Sequence, residues 1–482
     1  MTATDRRFLR LLALVALGLL ALHLLVERLP VAWAFRFYPE SLIGPGGRLK
    51  PEEWLWGVFP ITYLPIWLRW AAGAGVAVLV LWAALVPDLG WLRTVRLAFP
   101  RRWWVQAVLA GLSLVFFYAG RVVHTRWGDA FLLVKGIADP VVRLTYNWQA
   151  PLDTYVHAQL FHLGERLWGW TDAMPAYWWL SSLAGAVAIW VLLRLAAGIG
   201  RTDLEAWAVF GLMATLGAMQ LFFGYPENYT LISLLILIYF WLAWRFAQGR
   251  GSLWAPSLVL ALANGFHPST LVLQPSLWLL AWWGLRQSRE RRRRGVLPTL
   301  LALLVPPVLV GGAVLALMTA GGHGLGTFLG AEAPGGGDHR WWVPLLAPGS
   351  KWEYYTLFSG GHLLDILNQQ ALSMPFTLAL LLLLAVFYRS RLPRDAYSAC
   401  LLVASAAYVL LTWVWNPDYG GQRDWDLFAV AAWPATLLAA YWLVRSLSRE
   451  TLLRACLIVI PFQALHTAAW VFSNTRPWEW PV

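Results

Sequence analysis

An all-α, polytopic membrane fold is what this sequence predicts, and three observations predict it. Apolar runs close to the length that crosses about 30 Å of hydrocarbon recur along the whole chain. Charged residues make up only 13% of 482 residues while hydrophobic ones reach 59%, against a charged fraction of roughly a quarter in soluble domains. Arginines cluster in every second connecting stretch, the pattern that the positive-inside rule leaves in a multi-span protein. The formal charge of +12 therefore marks topology and not a nucleic-acid surface, because the basic residues punctuate apolar runs and gather on no soluble face.

Taken in order, the apolar segments fall at 8–26, 66–86, 103–120, 176–196, 205–223, 229–246, 253–266, 270–285, 297–319, 372–388, 396–415, 427–444 and 451–472. That is a bundle of about thirteen helices. The first carries a basic flank like that of a signal peptide, but its apolar stretch of roughly 18 residues exceeds the usual 7–15, so it reads as an uncleaved span. Segments 253–266 and 270–285 are short and separated by Asn264-Gly265-Phe266-His267-Pro268, which fits either two tilted spans or a re-entrant pair. The chain divides into a two-span extension with its own outer loop (1–102), a core (103–290) and a C-terminal bundle (291–482).

Arginine clusters at Arg6, Arg7 and Arg10, at Arg93 to Arg102, at Arg194 and Arg201, at Arg245 and Arg250, at Arg286 to Arg294, at Arg389 to Arg394 and at Arg445 to Arg454 assign those stretches to the inner side. The N-terminus is then cytoplasmic. The expected location is the plasma (inner) membrane of a prokaryote, with the long loops 27–65, 121–175, 319–371 and 416–426 extracytoplasmic. Of the 25 acidic residues, only Asp5, Asp88, Asp203, Glu205, Glu290, Asp395 and Glu450 map to the inner side. The outer side is the working side, since irregular polar backbone at a membrane is tolerated where it lines a cavity. Cys400 and Cys456, the only two cysteines, both lie in apolar segments and support neither a disulfide framework nor a thiolate metal site. The glycines of 321–326 and 334–337 lie in an outer loop, away from cytosolic nucleotides, and no spacing of histidines and acids makes a metal site. No cofactor and no metal is expected.

Chemistry concentrates in the outer loops. Loop 121–175 carries Arg121, His124, Arg126, Asp129, Lys135, Asp153, Tyr155 and His157. A partly dehydrated carboxylate near such groups can accept a proton from a hydroxyl nucleophile, and Asp129 is the candidate base; its structural alternative is to cap the short helix FLLVKGIA. Glu227, in the tight turn Gly224 to Tyr229, is held at the membrane surface on the same side, where Pro-Glu-Asn also suits a helix cap. His267 breaks an apolar stretch. In the loop 416–426, Arg423 beside Asp424 and Asp426 has the makings of a phosphate grip, with the acids orienting it or meeting sugar hydroxyls and Trp425 stacking on a sugar ring. The segment SGGHLLDILNQQ, 359–370, reads as an amphipathic helix on the outer interface, near Asp338, His339, Arg340 and Lys351.

The layout resembles the membrane-embedded glycosyltransferases of the GT-C fold, most closely the family 39 type of protein O-mannosyltransferases and lipid A aminoarabinose transferases. Gly128-Asp129-Ala130 followed by Gln149-Ala150-Pro151-Leu152-Asp153-Thr154-Tyr155 matches the family's first outer-loop acid and later Pro-Leu stretch, and Tyr225-Pro226-Glu227-Asn228 resembles its second acidic turn. Asn264 to His267, through Gln274-Pro275, resembles its Lys-Gly-Pro segment, although Gly265-Phe266-His267 stands where the family has Lys, and Ala130 where it usually has a second acid. The resemblance covers about 103–290. It implies a GT-C-like bundle with its active site in extracytoplasmic loops, a sugar donor on a polyprenyl phosphate, an acceptor that is a protein, lipid or glycan, and inversion at the anomeric carbon. On that reading Asp129 and Glu227 are catalytic, and Arg121, Arg126, Asp153, Tyr155, His267, Arg423, Asp424 and Asp426 contact substrate. Two other classes compete: a flippase of lipid-linked saccharides, which would place polar groups near the midplane, and an enzyme of the O-antigen polymerase or ligase kind.

Overall fold

The computed structural model describes residues 1–37, 54–86, 98–286, 295–330, 340–349, 353 and 355–478. Among the described residues the α-helices of five residues or more, in chain order, are α1 (Ala3–Leu25), α2 (Ile66–Leu85), α3 (Trp103–Ala119), α4 (Ala130–Ala138), α5 (Pro151–Trp168), α6 (Met174–Ile199), α7 (Asp203–Ala214), α8 (Thr230–Ala247), α9 (Trp254–Phe266), α10 (Gln274–Arg286), α11 (Val296–Ala320), α12 (Gly360–Ser373), α13 (Thr377–Phe387), α14 (Ala396–Val414), α15 (Trp425–Ala429), α16 (Ala432–Ser446) and α17 (Arg449–Asn474). Among the described residues there is no strand, only one isolated bridge between Trp342 and Trp415.

Among the described residues, eight helical segments are long and apolar enough to cross a membrane, and a ninth is added if a pair bent by 92°, α12 with α13, counts as one span. The other expected spans are shorter or broken, for reasons that lie in the packing. Segment 103–120 forms the 17-residue α3. Segment 205–223 stops as a helix at Ala214 and continues as a 3-10 turn, Gly217–Phe222. Gly217 lies against the carbonyl of Leu372, where no Cβ fits. Segments 253–266 and 270–285 become two 13-residue helices joined by a 3-10 turn beginning at Pro268. Pro268 has no N–H to donate and disfavours the helical conformation in His267, which is extended. The uninterrupted span expected over 372–388 is broken at Met374, which leaves the helical conformation before Pro375 (φ −152, ψ 65).

The centre of the bundle is the segment Trp425–Ser446, of whose most apolar window 94% is buried, whereas α11 shows only 17% of its window buried and lies at the periphery. Trp425, Trp433 and Tyr441 contribute the largest rings of that centre. One continuous apolar core takes residues from α1 through α17. Helix starts follow side-chain capping rules: Thr2 and Asp5 form a capping box, and Thr202, Asp395 and Ser448 each accept the N–H three residues on.

The connections gather at two opposite ends. At one end the Tyr388 hydroxyl donates to Asp5 (2.6 Å), Arg201 to the Val444 carbonyl (3.0 Å), Arg454 to the carbonyls of Ala83 and Val86 (2.9 and 2.7 Å), and the Tyr441 hydroxyl to Asp395 (2.6 Å). At the other, the Val122 N–H donates to the Phe223 carbonyl (2.8 Å), Val123 to Asn474 (3.2 Å), Gly128 to Arg423 (3.0 Å) and Asn416 to Trp341 (2.9 Å). The first set joins the arginine-rich connections and the second the acid-bearing ones.

The helix expected over 359–370 forms as α12, with its polar face turned inward. The Trp56 indole N–H donates to Asp365 (3.0 Å), the Gly57 N–H to Asn368 (3.1 Å), and the Gln369 side chain to the Gly421 carbonyl (2.8 Å), while Leu363 and Leu367 are exposed. An exposed apolar surface is costly in water and costless against hydrocarbon. The Gly217 contact gives a direct test: Gly217→Ala should lower stability by about 1–3 kcal/mol through overpacking, read as a drop in the thermal midpoint of the detergent-solubilised protein; an unchanged midpoint would show that the turn does not depend on this approach.

Candidate active site

Three turns at the acid-bearing end build the site. The first follows α3 and reaches Asp129 at the start of α4; the second joins the 3-10 turn Gly217–Phe222 to α8 and carries Glu227; the third joins α14 to α15 and carries Asp418, Tyr419 and Asp424, with Asp426 in the first turn of α15. Backbone bonds lock them together: Val122 to Phe223 ties the first turn to the second, and Gly128 to Arg423 ties the first to the third. Gly128 has φ +44, and a Cβ there would stand 2.6 Å from Glu227 Oε1. Only glycine allows that backbone to pass so close to the carboxylate. The Tyr225 N–H donates to the Ser181 hydroxyl (3.1 Å), which holds the second turn onto α6.

The carboxylates are not occupied with helix capping. Asp129 and Asp424 sit at the first positions of α4 and α15 and neither side chain caps its helix. Asp424 Oδ2 accepts the Tyr419 N–H (2.8 Å), Glu227 Oε2 accepts the Asn228 N–H (3.2 Å), and Asp426 Oδ1 accepts the Leu427 N–H (2.9 Å). Glu227 Oε1 and Asp426 Oδ2 are buried with no hydrogen-bond partner.

A cavity of about 670 Å³ opens in front of these turns. Its polar wall holds Asp129, Asp424, Asp418, Tyr419, Tyr229, His267, Asn264 and Asn416, and its aromatic wall Trp148, Trp341, Trp342, Trp415 and Phe328. Its lower wall is apolar and consists of Leu271 and Leu411 with Pro307, Val310, Gly311 and Val314 of the peripheral α11. Gly311 is exposed and a Cβ there would meet nothing within 4 Å, so the cavity reaches the outer surface of the bundle through α11.

Charge crowding sets the protonation of the acids. Burial, then the charges of Asp426 and Asp129, hold the Glu227 carboxyl well above the usual carboxylate range. Burial, with Asp426 and Asp129 adding to it, does the same to Asp424 against the lowering effect of the Tyr419 N–H. Asp129 is raised by burial alone and is opposed by a hydrogen bond from the Tyr419 hydroxyl. Like charges this close cannot all ionise. Asp129 is half-buried, and the Tyr419 hydrogen bond favours its ionised form, whereas Glu227 and Asp424 are held well above the usual range. His267 Nδ1 accepts the Ser269 N–H (3.1 Å), which leaves the ring proton on Nε2, and burial pushes its pKa down to about 4, so at neutral pH it is an uncharged donor.

Of the residues singled out in the sequence, Asp129, Asp424 and His267 line the cavity, while Glu227 and Asp426 do not line it but are buried within reach of the Asp129 charge. The arginines do not line it. Arg121 is stacked on Tyr118 and Trp178, 4.5 and 4.7 Å from the ring centroids, and Arg126 on Trp127 and Trp478, 4.6 and 3.4 Å. Arg423 turns an exposed side chain outward and supplies its carbonyl to Gly128. Asp153, on α5, is fully buried beside His157. Tyr155 pairs with Tyr146 at 6.0 Å. Trp425, expected to stack on a sugar, is fully buried between Tyr225 and Trp470 at 5.4 and 5.6 Å, and the open aromatic faces belong to Trp148, Trp341, Trp342 and Trp415. Tyr419 and Tyr229 were not singled out; the Pro-Asp-Tyr-Gly-Gly turn five residues before Asp424 is the signal for the first, and adjacency to the Glu227 turn for the second. Asp338, His339 and Lys351 lie outside the described residues. Among the described residues no group of three or more His, Cys, Asp or Glu side chains is arranged to hold a metal ion.

Among the described residues, the fold and site together define an all-helical protein with eight helices long and apolar enough to span a bilayer and a carboxylate cluster facing an aromatic cavity at one end. No protein-family model matches the chain, and neither does any curated protein or solved structure.

The raised carboxyls fix the sign of a pH test. Glu227 and Asp424 bind protons more tightly folded than unfolded, so the stability they contribute is complete below the ordinary carboxylate range and is lost as pH rises through their folded values. The thermal midpoint of the wild type should fall between acidic and alkaline pH, and Glu227→Gln should flatten that fall; an equal slope in both proteins would contradict the crowding.

Proposed function

We propose that this protein is an integral-membrane glycosyltransferase that moves a sugar from a polyprenyl-phosphate donor to an extracytoplasmic acceptor with inversion. The observation that carries the reading is the Asp129 carboxylate, placed in a cavity with stacking rings and hydrogen-bonding acids on one side and an apolar opening on the other. Sugars are bound by aromatic faces together with groups that meet their hydroxyls. A polyprenyl chain needs an apolar path from the bilayer, and the wall of Pro307, Val310, Gly311 and Leu271 offers one. The resemblance to GT-C enzymes points the same way, as does the gathering of the acid-bearing turns at the end opposite the arginine-rich connections, which the positive-inside rule assigns to the cytoplasm.

In this mechanism Asp129 removes the proton from the acceptor hydroxyl or amine as that atom attacks the anomeric carbon. The bond to the lipid phosphate breaks on the opposite face. His267, with its proton on Nε2, is the donor of the cavity wall for the phosphate as its charge grows. Burial raises the basicity of Asp129, and the hydrogen bond from the Tyr419 hydroxyl orients it.

Purified protein incubated with a panel of radiolabelled polyprenyl-phosphate sugars and membrane extract should transfer label, and Asp129→Asn should reduce that transfer by about 10²–10⁴-fold, the usual worth of a general base. Undiminished transfer would remove Asp129 as the base, and saccharide movement between leaflets without transfer would mark a flippase. Gly311→Trp should impair donors with long chains while sparing a short-chain analogue; equal loss with both would show that the chain does not pass α11.

A further inference from the structure

The N-terminal extension takes no part in the proposed chemistry, yet its outer loop is built against the turn that carries Tyr419 and Asp424. Next to α12 that loop forms the 3-10 turn Trp56–Val58, and two buried side chains of α12 clasp it. Asn368 accepts the Gly57 N–H at Oδ1 (3.1 Å) and donates to the Trp54 carbonyl (2.9 Å), and Asp365 Oδ1 accepts the Trp56 indole N–H (3.0 Å). A Cβ on Gly57 would collide with the Asn368 backbone, so glycine is what admits this approach.

Asp365 serves the active-site turn at the same time. Its Oδ2 accepts the Tyr355 hydroxyl (2.6 Å); a phenol has one hydrogen, so the Tyr355 oxygen is left with lone pairs, one of which accepts the Gly421 N–H (3.3 Å). Gln369, one turn after Asp365, donates to the Gly421 carbonyl (2.8 Å), and a Cβ on Gly421 would stand 2.8 Å from Asp365 Oδ2. The peptide unit joining Gly420 to Gly421 is planar, so holding its N–H also aims its carbonyl, which accepts the Asp424 N–H (3.1 Å). Asp424 Oδ2 accepts the Tyr419 N–H (2.8 Å), and the Tyr419 hydroxyl donates to Asp129. An unbroken run of hydrogen bonds, through one peptide plane, thus joins Trp56 of the extension to the candidate base. A carboxylate is required at 365, because an amide there would turn its NH₂ either on the Trp56 N–H or on the Tyr355 hydroxyl, and in the second case the phenol hydrogen would face the Gly421 N–H.

We propose that Asp365, Tyr355 and Trp56 are positioning residues for the turn 416–426, so that the N-terminal extension completes the active site. The inference rests on the glycosyltransferase reading. None of the three lines the cavity, and none touches the reacting atoms. They act by holding the Gly420–Gly421 peptide, and with it Tyr419 and Asp424, in place around Asp129.

Tyr355→Phe removes the acceptor of the Gly421 N–H, and Trp56→Phe removes one of the donors that fix Asp365. In each variant kcat should fall by about 10–100-fold, the cost of a small misplacement at a reacting centre, with KM little changed. The acid limb of the pH–rate profile should move to higher pH, because a weakened Tyr419 hydrogen bond favours ionised Asp129 less. Loss of folded protein would lower the rate without moving that limb, and such a result, or an unchanged kcat in either variant, overturns the positioning. A substrate-free readout separates this inference from the reaction it serves. The infrared carboxyl band of Asp424, identified as the one missing from Asp424→Asn, should shift in Tyr355→Phe and in Trp56→Phe, since the contact between Asp424 Oδ2 and the Tyr419 N–H depends on the held peptide. A band unmoved in either variant overturns the positioning even where transfer is seen, whereas a wild type that transfers no sugar from any donor overturns the glycosyltransferase reading even where the band shifts.

Discussion

The structure depends on one electrostatic arrangement: four carboxylates, Asp129, Glu227, Asp424 and Asp426, brought from three separate turns to within mutual influence of one another. Like charges in a medium of low dielectric repel strongly, and burial alone disfavours each ionised form. Nothing about a helical bundle requires such a cluster, and elsewhere among the described residues several acids are paired with arginine, as Glu27 is with Arg69, Glu205 with Arg201 and Glu450 with Arg454. The protein tolerates the crowding because backbone hydrogen bonds fix the three turns and because glycine at 128 lets the chain approach Glu227.

The rest of the bundle supports that arrangement. The buried segment Trp425–Ser446 begins at Asp424 and Asp426, so two of the four acids are mounted on the least exposed helix of the protein. At its other end the same segment meets Arg201 and the turn of Arg391. The peripheral α11 contributes little burial but closes the apolar side of the cavity. A rigid central helix and a lipid-facing outer one thus hold opposite walls of one site.

Much of the site was legible in the sequence, and the reason is geometric. Asp129, Glu227, Asp424 and Asp426 each occupy a short polar turn where an apolar run begins or ends, and counting runs puts all of those turns on one side. What was not legible depended on tertiary contact. Segment 205–223 is apolar enough to be a span, but its course is broken where Gly217 meets the Leu372 carbonyl. Arg121 and Arg126 look like phosphate ligands in one dimension and are stacked on aromatic rings in three. Trp425 belongs to the core because a helix turns its side chain inward there, while Trp415, at the end of α14, has its face in the cavity. The amphipathic pattern of α12 gave a helix correctly and its facing wrongly, since in lipid surroundings the polar face belongs inside.

The account stands on protons shared among buried carboxyls at neutral pH, and infrared spectroscopy measures them directly. The purified protein should show carbonyl stretching bands of protonated carboxylic acids at neutral pH, with one band lost in Glu227→Gln and another in Asp424→Asn. A spectrum with only ionised carboxylates at that pH would contradict the crowded site.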